Sequence, residues 1–180
     1  PRTDLELLKK YHEGLICLSA CINGYVTEPL IRGEDTISEE RAKKLNEIFG
    51  QDNFFFEIQK HIKVPNQELA NQKLLAMSQK LGIPVVATND NHYTKKDDAE
   101  AHEVLLCIQT QLTLLDTNRK LSMIDSPDFY IKTQEEMEDL FQDTPEAVTN
   151  TVRIADRCNV TIELGKWHMP IFDVPDNKTP

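Results

Sequence analysis

The sequence predicts an α/β protein built on parallel strands with helical crossovers, and three observations predict it. Apolar runs rich in β-branched and aromatic residues alternate with amphipathic helical stretches, in the order strand, helix, strand, helix, strand, helix. The runs are short and apolar enough to be buried strands. Only three such units fit into 180 residues, whereas a closed barrel of this kind takes about 250. Three parallel strands alone would leave backbone groups unpaired at each open edge. The arithmetic therefore favours a piece of a larger barrel.

Each element has its own reason. Thr3 to Tyr11 is a short helix with Leu5, Leu8 and Tyr11 near helical spacing. Gly14 to Ala20 is a strand, followed by a glycine- and proline-containing connection over 21–37. Ser38 is placed as an N-cap, and Ala42, Leu45 and Phe49 continue one helical face. A turn over 50–52 leads into a second strand, Phe54 to Gln59. The next helix runs from about Asn66 to Leu81 with Ala70, Leu74, Met77 and Leu81 inward; Gly82 ends it and Pro84 opens a third strand through Thr88. Asp97 with Glu100 reads as a capping box for a helix facing inward through Ala101, Val104, Leu105, Ile108 and Leu112.

After a polar, irregular stretch over 113–128, Thr133 with Glu136 forms a second capping box, and Met137, Leu140 and Phe141 make a short apolar stripe. Thr144 and Pro145 begin a last helix, with Val148, Val152 and Ala155 toward the core. "VTIELG" reads as a strand, and the proline-dotted end as a linker.

Composition narrows the function classes. Thirty acidic against 20 basic residues give a net charge of −10. Such a surface repels phosphate backbones, so a phosphate substrate would need a local site with bound cations. The apolar runs fall short of the ~20 residues of a membrane span, and no signal peptide is evident. Cysteines stand at 17, 21, 107 and 158 without C-x-x-C spacing, which favours reduced, cytoplasmic thiols over a disulfide framework. The first residue is Pro1, and both ends read as cut from something longer.

The chemistry gathers at the ends of strands. Asp90 and His92 follow the third strand two residues apart, and Cys21 follows the first. In parallel sheets and barrels, ligands collect at the carboxyl ends of strands. Carboxylate, imidazole and thiolate together suit zinc, and the oxygen and nitrogen donors also suit manganese or iron. The same residues have a plainer reading: Asp90 as a turn cap, His92 as a loop histidine and Cys21 as a small apolar side chain. Glu57 and His61 end the second strand and reach the same rim as ligands or supports, or are simply an exposed strand end. His102 reads as structural, His12 and His168 as exposed, Cys107 and Cys158 as packed on helix faces, and 134–143 as a solvated helix face. No nucleophile elbow and no glycine-rich phosphate loop is present.

Four stretches, "EGLICLSACINGYV", "IPVVATNDNHY", "DAEAHEVLLCIQTQLTL" and "PEAVTNTVRIADRCNVTIELGKWHMPIF", together resemble the family of bacterial DNA polymerase III alpha subunits. The likeness is to the later part of the N-terminal PHP (polymerase and histidinol phosphatase) domain, running toward the palm. It implies a partial PHP-type (β/α)7 barrel with three parallel strand–helix units followed by a helical C-terminal extension. Its parts would be 1–112 as the second half of the barrel, 113–163 as the extension and 164–180 as a linker toward the palm.

By position the resemblance makes Cys21, Asp90 and His92 metal ligands, with divalent zinc, manganese or iron at the PHP site and magnesium for the polymerase. The family's H-x-H pair and its next histidine and glutamate ligands are absent, as are the polymerase aspartates. For the parent protein the resemblance implies template-directed DNA synthesis, with DNA, a proofreading subunit and the sliding clamp as partners, in the cytoplasm and without a membrane. Its PHP domain would be either a 3′–5′ proofreading exonuclease or a catalytically silent scaffold. The chain alone is expected to be inactive.

Overall fold

The structure is a computed structural model that describes residues 3–169. Strands β1 (Cys17–Leu18), β2 (Phe54–Ile58) and β3 (Val85–Ala87) form one parallel sheet in the order β1-β2-β3. Leu18 is registered with Phe55, and Ile58 with Ala87. Helix α1 (Leu5–Tyr11) precedes the sheet. Helices α2 (Thr27–Ile31) and α3 (Asp35–Phe49) connect β1 to β2, and α4 (Gln67–Leu81) connects β2 to β3. A single 3₁₀ turn, Lys96–Asp98, leads into α5 (Ala99–Thr110); α6 (Gln134–Leu140) and α7 (Pro145–Arg157) follow. This is the mixed α/β architecture of three parallel strands alternating with helices, an open sheet consistent with a partial barrel.

The core forms where the strands are apolar on both faces. Phe54 and Phe56 meet edge to face with ring centroids 5.5 Å apart. Ala42, Leu45 and Phe49 of α3, Leu74 and Met77 of α4, and Val85 and Ala87 of β3 close around them. Burying each large side chain stabilises the fold by about 1.5–3 kcal/mol. Gly82 ends α4 with φ 68°, and its N–H donates to the Ser78 carbonyl at 2.8 Å. That left-handed closure is what glycine permits most easily.

The two edges of the sheet differ. The Phe56 N–H donates to the Pro84 carbonyl, and the Thr88 N–H to that of Ile58. Alternate residues of a strand point their backbone groups to opposite sides, so the Val85 carbonyl faces away from β2. The buried Asn150 amide of α7 donates to it at 2.7 Å. Arg157 anchors the end of α7 through the Asp52 carbonyl at 2.6 Å and the Asn53 side chain. On the other side, among the described residues, β1 has β2 as its one sheet neighbour. Its outer flank borders an apolar groove of about 750 Å³ between Leu5 and Leu8 of α1, Leu18, and Leu45 of α3.

Several sequence expectations need correction. Ser38 is not a cap: α3 begins at Asp35, and the buried Ser38 hydroxyl donates to the Val26 carbonyl at 2.7 Å. The Asp97–Glu100 capping box is replaced by the 3₁₀ turn, in which the Asp98 carboxylate accepts from the Lys95 N–H at 2.9 Å. The connection after β1 contains α2. Helix α5 buries Ala99, Glu103, Leu106 and Cys107 and leaves Ala101, Val104, Leu105 and Ile108 exposed, the reverse of the expected face. In α7 the buried residues are Ala147 and Asn150, while Val152 and Ala155 face solvent.

"VTIELG" is not a strand, because no neighbour among the described residues pairs with it; Val160, Ile162 and Leu164 are exposed. Cys158 caps α7 and is exposed, whereas Cys107 is buried as expected. The Thr133–Glu136 capping box and the Pro145 helix start are present. From residue 170 the expected linker lies outside the described residues.

Candidate metal centre

Parallel strands end on one rim, and each strand here delivers a side chain with ligand chemistry to it. Cys21 lies three residues beyond Leu18, His61 three beyond Ile58 and Asp90 three beyond Ala87. All three line one cavity of about 380 Å³, together with Gln59, Asp125 and Phe129. The turn that carries Cys21 is tight: a Cβ on Gly24 would stand 2.3 Å from the Ser19 carbonyl oxygen and 2.9 Å from that of Cys21. No side chain fits there without moving the backbone that places the thiol.

Beneath the rim the strand ends are tied together by polar groups. The Glu57 N–H donates to the Ser19 hydroxyl at 2.8 Å, and the Gln59 amide donates to Glu57 and Thr88 at 3.1 Å each. The Thr88 hydroxyl donates to the Glu57 carboxylate. Burial, with the Glu57 charge adding to it, pushes the Cys17 thiol up to about 11, so that thiol stays protonated.

Residues 113–133 cross the rim as a strap. Asn89 fastens it, its amide donating to the Tyr130 and Asp128 carbonyls at 2.7 and 3.0 Å while its oxygen accepts from Lys132 at 2.8 Å. The His92 N–H donates to the Phe129 carbonyl at 2.8 Å. At the far end, the buried Glu103 accepts from the Ser122 hydroxyl at 2.6 Å, the Met123 N–H at 3.0 Å and Arg119 at 2.9 Å. Burial alone would raise the Glu103 pKa, but these donors outweigh it and hold the carboxyl below its ordinary range.

Asp90 and His92 meet across a turn beyond β3. The strand ends at Ala87, and Asp90 adopts a left-handed conformation at φ 46°. Across that turn, His92 Nε2 stands 3.5 Å from Asp90 Oδ1. Two donors each ~2.1 Å from one tetrahedral ion stand about 3.4 Å apart, so this spacing suits a shared ion. Asp90 shares the cavity wall with Cys21; His92 lies outside that wall, against the edge of Phe129 and with its ring 5.5 Å from that of His102. Among the described residues, no group of three or more His, Cys, Asp or Glu side chains is gathered closely enough to hold an ion by itself. The donor chemistry fits a divalent metal; the ligand shell is partial.

The sequence reading undervalued His61. It is not an exposed strand end: 4% of its surface is exposed, and its ring stacks on Phe129 with centroids 4.0 Å apart. Burial drives its pKa down against the pull of Asp128, keeping the imidazole neutral. The signal available was its position, level with Asp90 beyond a registered strand pair. His102 is half-buried on α5, His12 is half-buried near Phe49, and His168 is exposed.

The open parallel sheet with helical crossovers is consistent with a partial PHP-type barrel, and residues 1–61 match the PHP domain family. Over most of its length the chain is homologous to proteins named DNA polymerase III subunit alpha, at 34–43% identity. It is 43% identical over 175 residues to DNA polymerase III subunit alpha of Treponema pallidum, a match covering 97% of this chain and 15% of that protein. The subunit of Deinococcus radiodurans is 42% identical over 185 residues, with 99% of this chain and 14% of that protein covered. That of Thermus aquaticus is 40% identical over 185 residues, with 99% and 15% covered. The chain thus spans roughly one seventh of the length of the curated relatives it matches.

Proposed function

We propose that this chain is the second half of a PHP domain in a replicative, DNA-directed DNA polymerase, and that Cys21, Asp90 and His92 contribute ligands to a divalent ion at its rim. The observation that carries the reading is the 3.5 Å approach of Asp90 and His92 beside a cavity shared with Cys21, in a chain related throughout to DNA polymerase III alpha subunits. Zinc, manganese or iron suits the mixed donor set, and magnesium would serve the polymerase itself. Residues 1–112 would form the barrel half, 113–163 the extension and 164–180 the linker toward the palm. In the whole protein the partners would be DNA, a proofreading subunit and the sliding clamp, in the cytoplasm; no described helix is long and apolar enough to cross a membrane.

A bound divalent ion supplies a coordinated water of lowered pKa and a charge that neutralises phosphate oxygens, the requirements of 3′–5′ phosphodiester hydrolysis. The chain's own residues have narrower tasks. Asp90 and His92 present an oxygen and a nitrogen to one point. Gly24 keeps the Cys21 turn close to the sheet, and the strap limits access of bulk water. An acidic surface repels a DNA end everywhere except where cations collect.

The test is calorimetric titration of zinc and manganese into the chain and into Asp90→Ala, alongside a phosphodiester assay. One weakly held ion, lost in Asp90→Ala, with no turnover by the chain alone, is the expected result. Uptake of the ion unchanged by Asp90→Ala would overturn the site, and robust turnover would overturn the inactivity of the isolated chain. A second reading, a silent scaffold for the polymerase and a separate proofreading subunit, draws on the absence of a complete ligand cluster among the described residues. It gains if His92→Ala leaves metal content and thermal stability unchanged.

A further inference from the structure

We infer that His61 is a further ligand of the same ion, held in orientation by Asp128; this rests on the metal reading of the rim given above. The His61 ring lines the cavity with Cys21 and Asp90. Its position is the β2 counterpart of Asp90 on β3, since each follows the registered pair Ile58 and Ala87 by three residues. Its side chain is 1% exposed, yet neither ring nitrogen has a hydrogen-bond partner among the described residues. A buried polar group left unsatisfied is destabilising and points to a partner that the protein chain does not itself supply.

Asp128 explains one nitrogen. Its Oδ2 lies 3.3 Å from His61 Nδ1, within ion-pair reach but out of line for a hydrogen bond. Histidines that bind metals through one nitrogen generally turn the other toward a carboxylate, which fixes the tautomer and aims the ring. His61 has that second half in place, leaving Nε2 for the ion. Asp128 sits on the strap, whose position is fixed by Asn89 and by the stacking of Phe129 on the His61 ring. Asp128 is thus a positioning residue and His61 the ligand. Ion binding would draw His61, Asp90 and Cys21, which line one cavity, inward and align the His61–Asp128 contact.

The experiment is titration of the full 180-residue chain with zinc by calorimetry and with cobalt by visible absorption. The variants are His61→Gln, Asp128→Asn, Cys21→Ser and Asp90→Asn. His61→Gln is expected to weaken zinc binding by at least roughly tenfold and to alter the cobalt spectrum; Asp128→Asn should weaken it about 10–100-fold with less spectral change. If His61→Gln does not fold in chelator, His61→Asn and Asp128→Asn carry the same expectation. Zinc binding within twofold of the parent in the folded His61 variant, while Cys21→Ser and Asp90→Asn lose the ion, would overturn the role of His61 alone. Binding that is absent from the parent chain, or unaffected by all four changes, would overturn the rim site and this inference with it.

Discussion

Glu103 shows how much one residue can decide. Its carboxylate is 2% exposed and gathers a hydroxyl, a backbone N–H and a guanidinium from three positions of the strap. Removing it leaves Arg119 and the Met123 N–H facing a void. Glu103→Ala should therefore destabilise the protein by about 2–4 kcal/mol, measured by urea unfolding. Glu103→Gln, which keeps the volume and part of the bonding, should lose less.

The sequence could not announce this role. A glutamate on a helix reads as solvated until its partners, 16 to 20 residues further on, are known to fold back over it. The rim positions of Cys21 and Asp90 were legible because each closely follows an apolar run that does form a strand. His61 was discounted because its burial depends on Phe129, far along the chain.

Elements were legible where local pattern and tertiary packing agreed. The α4 face of Ala70, Leu74 and Met77 is buried as spaced, and the Thr133–Glu136 box starts α6. They were misread where a distant segment chose the face. Helix α5 has four of the expected aliphatics at helical spacing, Ala101, Val104, Leu105 and Ile108, yet the strap bonds to Glu103 on the opposite side and pulls that side inward. Val104, Leu105 and Ile108 are left outside in consequence. "VTIELG" has perfect strand alternation but no neighbour to pair with among the described residues, and alternation alone does not make a strand. Helix α7 does what an adjoining strand would do for β3. Asn150→Leu, which retains bulk but removes the donor to the Val85 carbonyl, is expected to cost about 1–3 kcal/mol, read as a lower denaturant midpoint with unchanged slope.

At the scale of the molecule, the acidic balance is held in check by specific pairings. Glu103, Glu136, Asp143 and Asp116 are all held below the ordinary carboxylate range. For Glu103 the cause is the set of donors that outweighs burial; for Glu136 it is first the Tyr130 hydroxyl, for Asp143 the Lys60 ammonium and for Asp116 the Thr113 side chain. A carboxyl whose pKa is lower folded than unfolded contributes stability that is complete above its unfolded value, about 4, and is lost as pH falls through its folded value. Thermal stability should therefore fall steadily as pH drops below about 4, monitored by circular dichroism. Glu103→Gln should flatten that decline. A melting temperature that stays level or rises on acidification would contradict the assignment.

The contrast between the two flanks of the sheet sets a direction for construction. With Val85 already engaged by an amide, accretion on the β3 side would first require prying α7 away. Among the described residues, the β1 side has no second strand beside it and borders an apolar groove. The β3 flank is thus closed by Asn150, and the β1 flank is the one left open among the described residues. A further strand would find its room beside Cys17 and Leu18, over the groove that Leu5, Leu8 and Leu45 line.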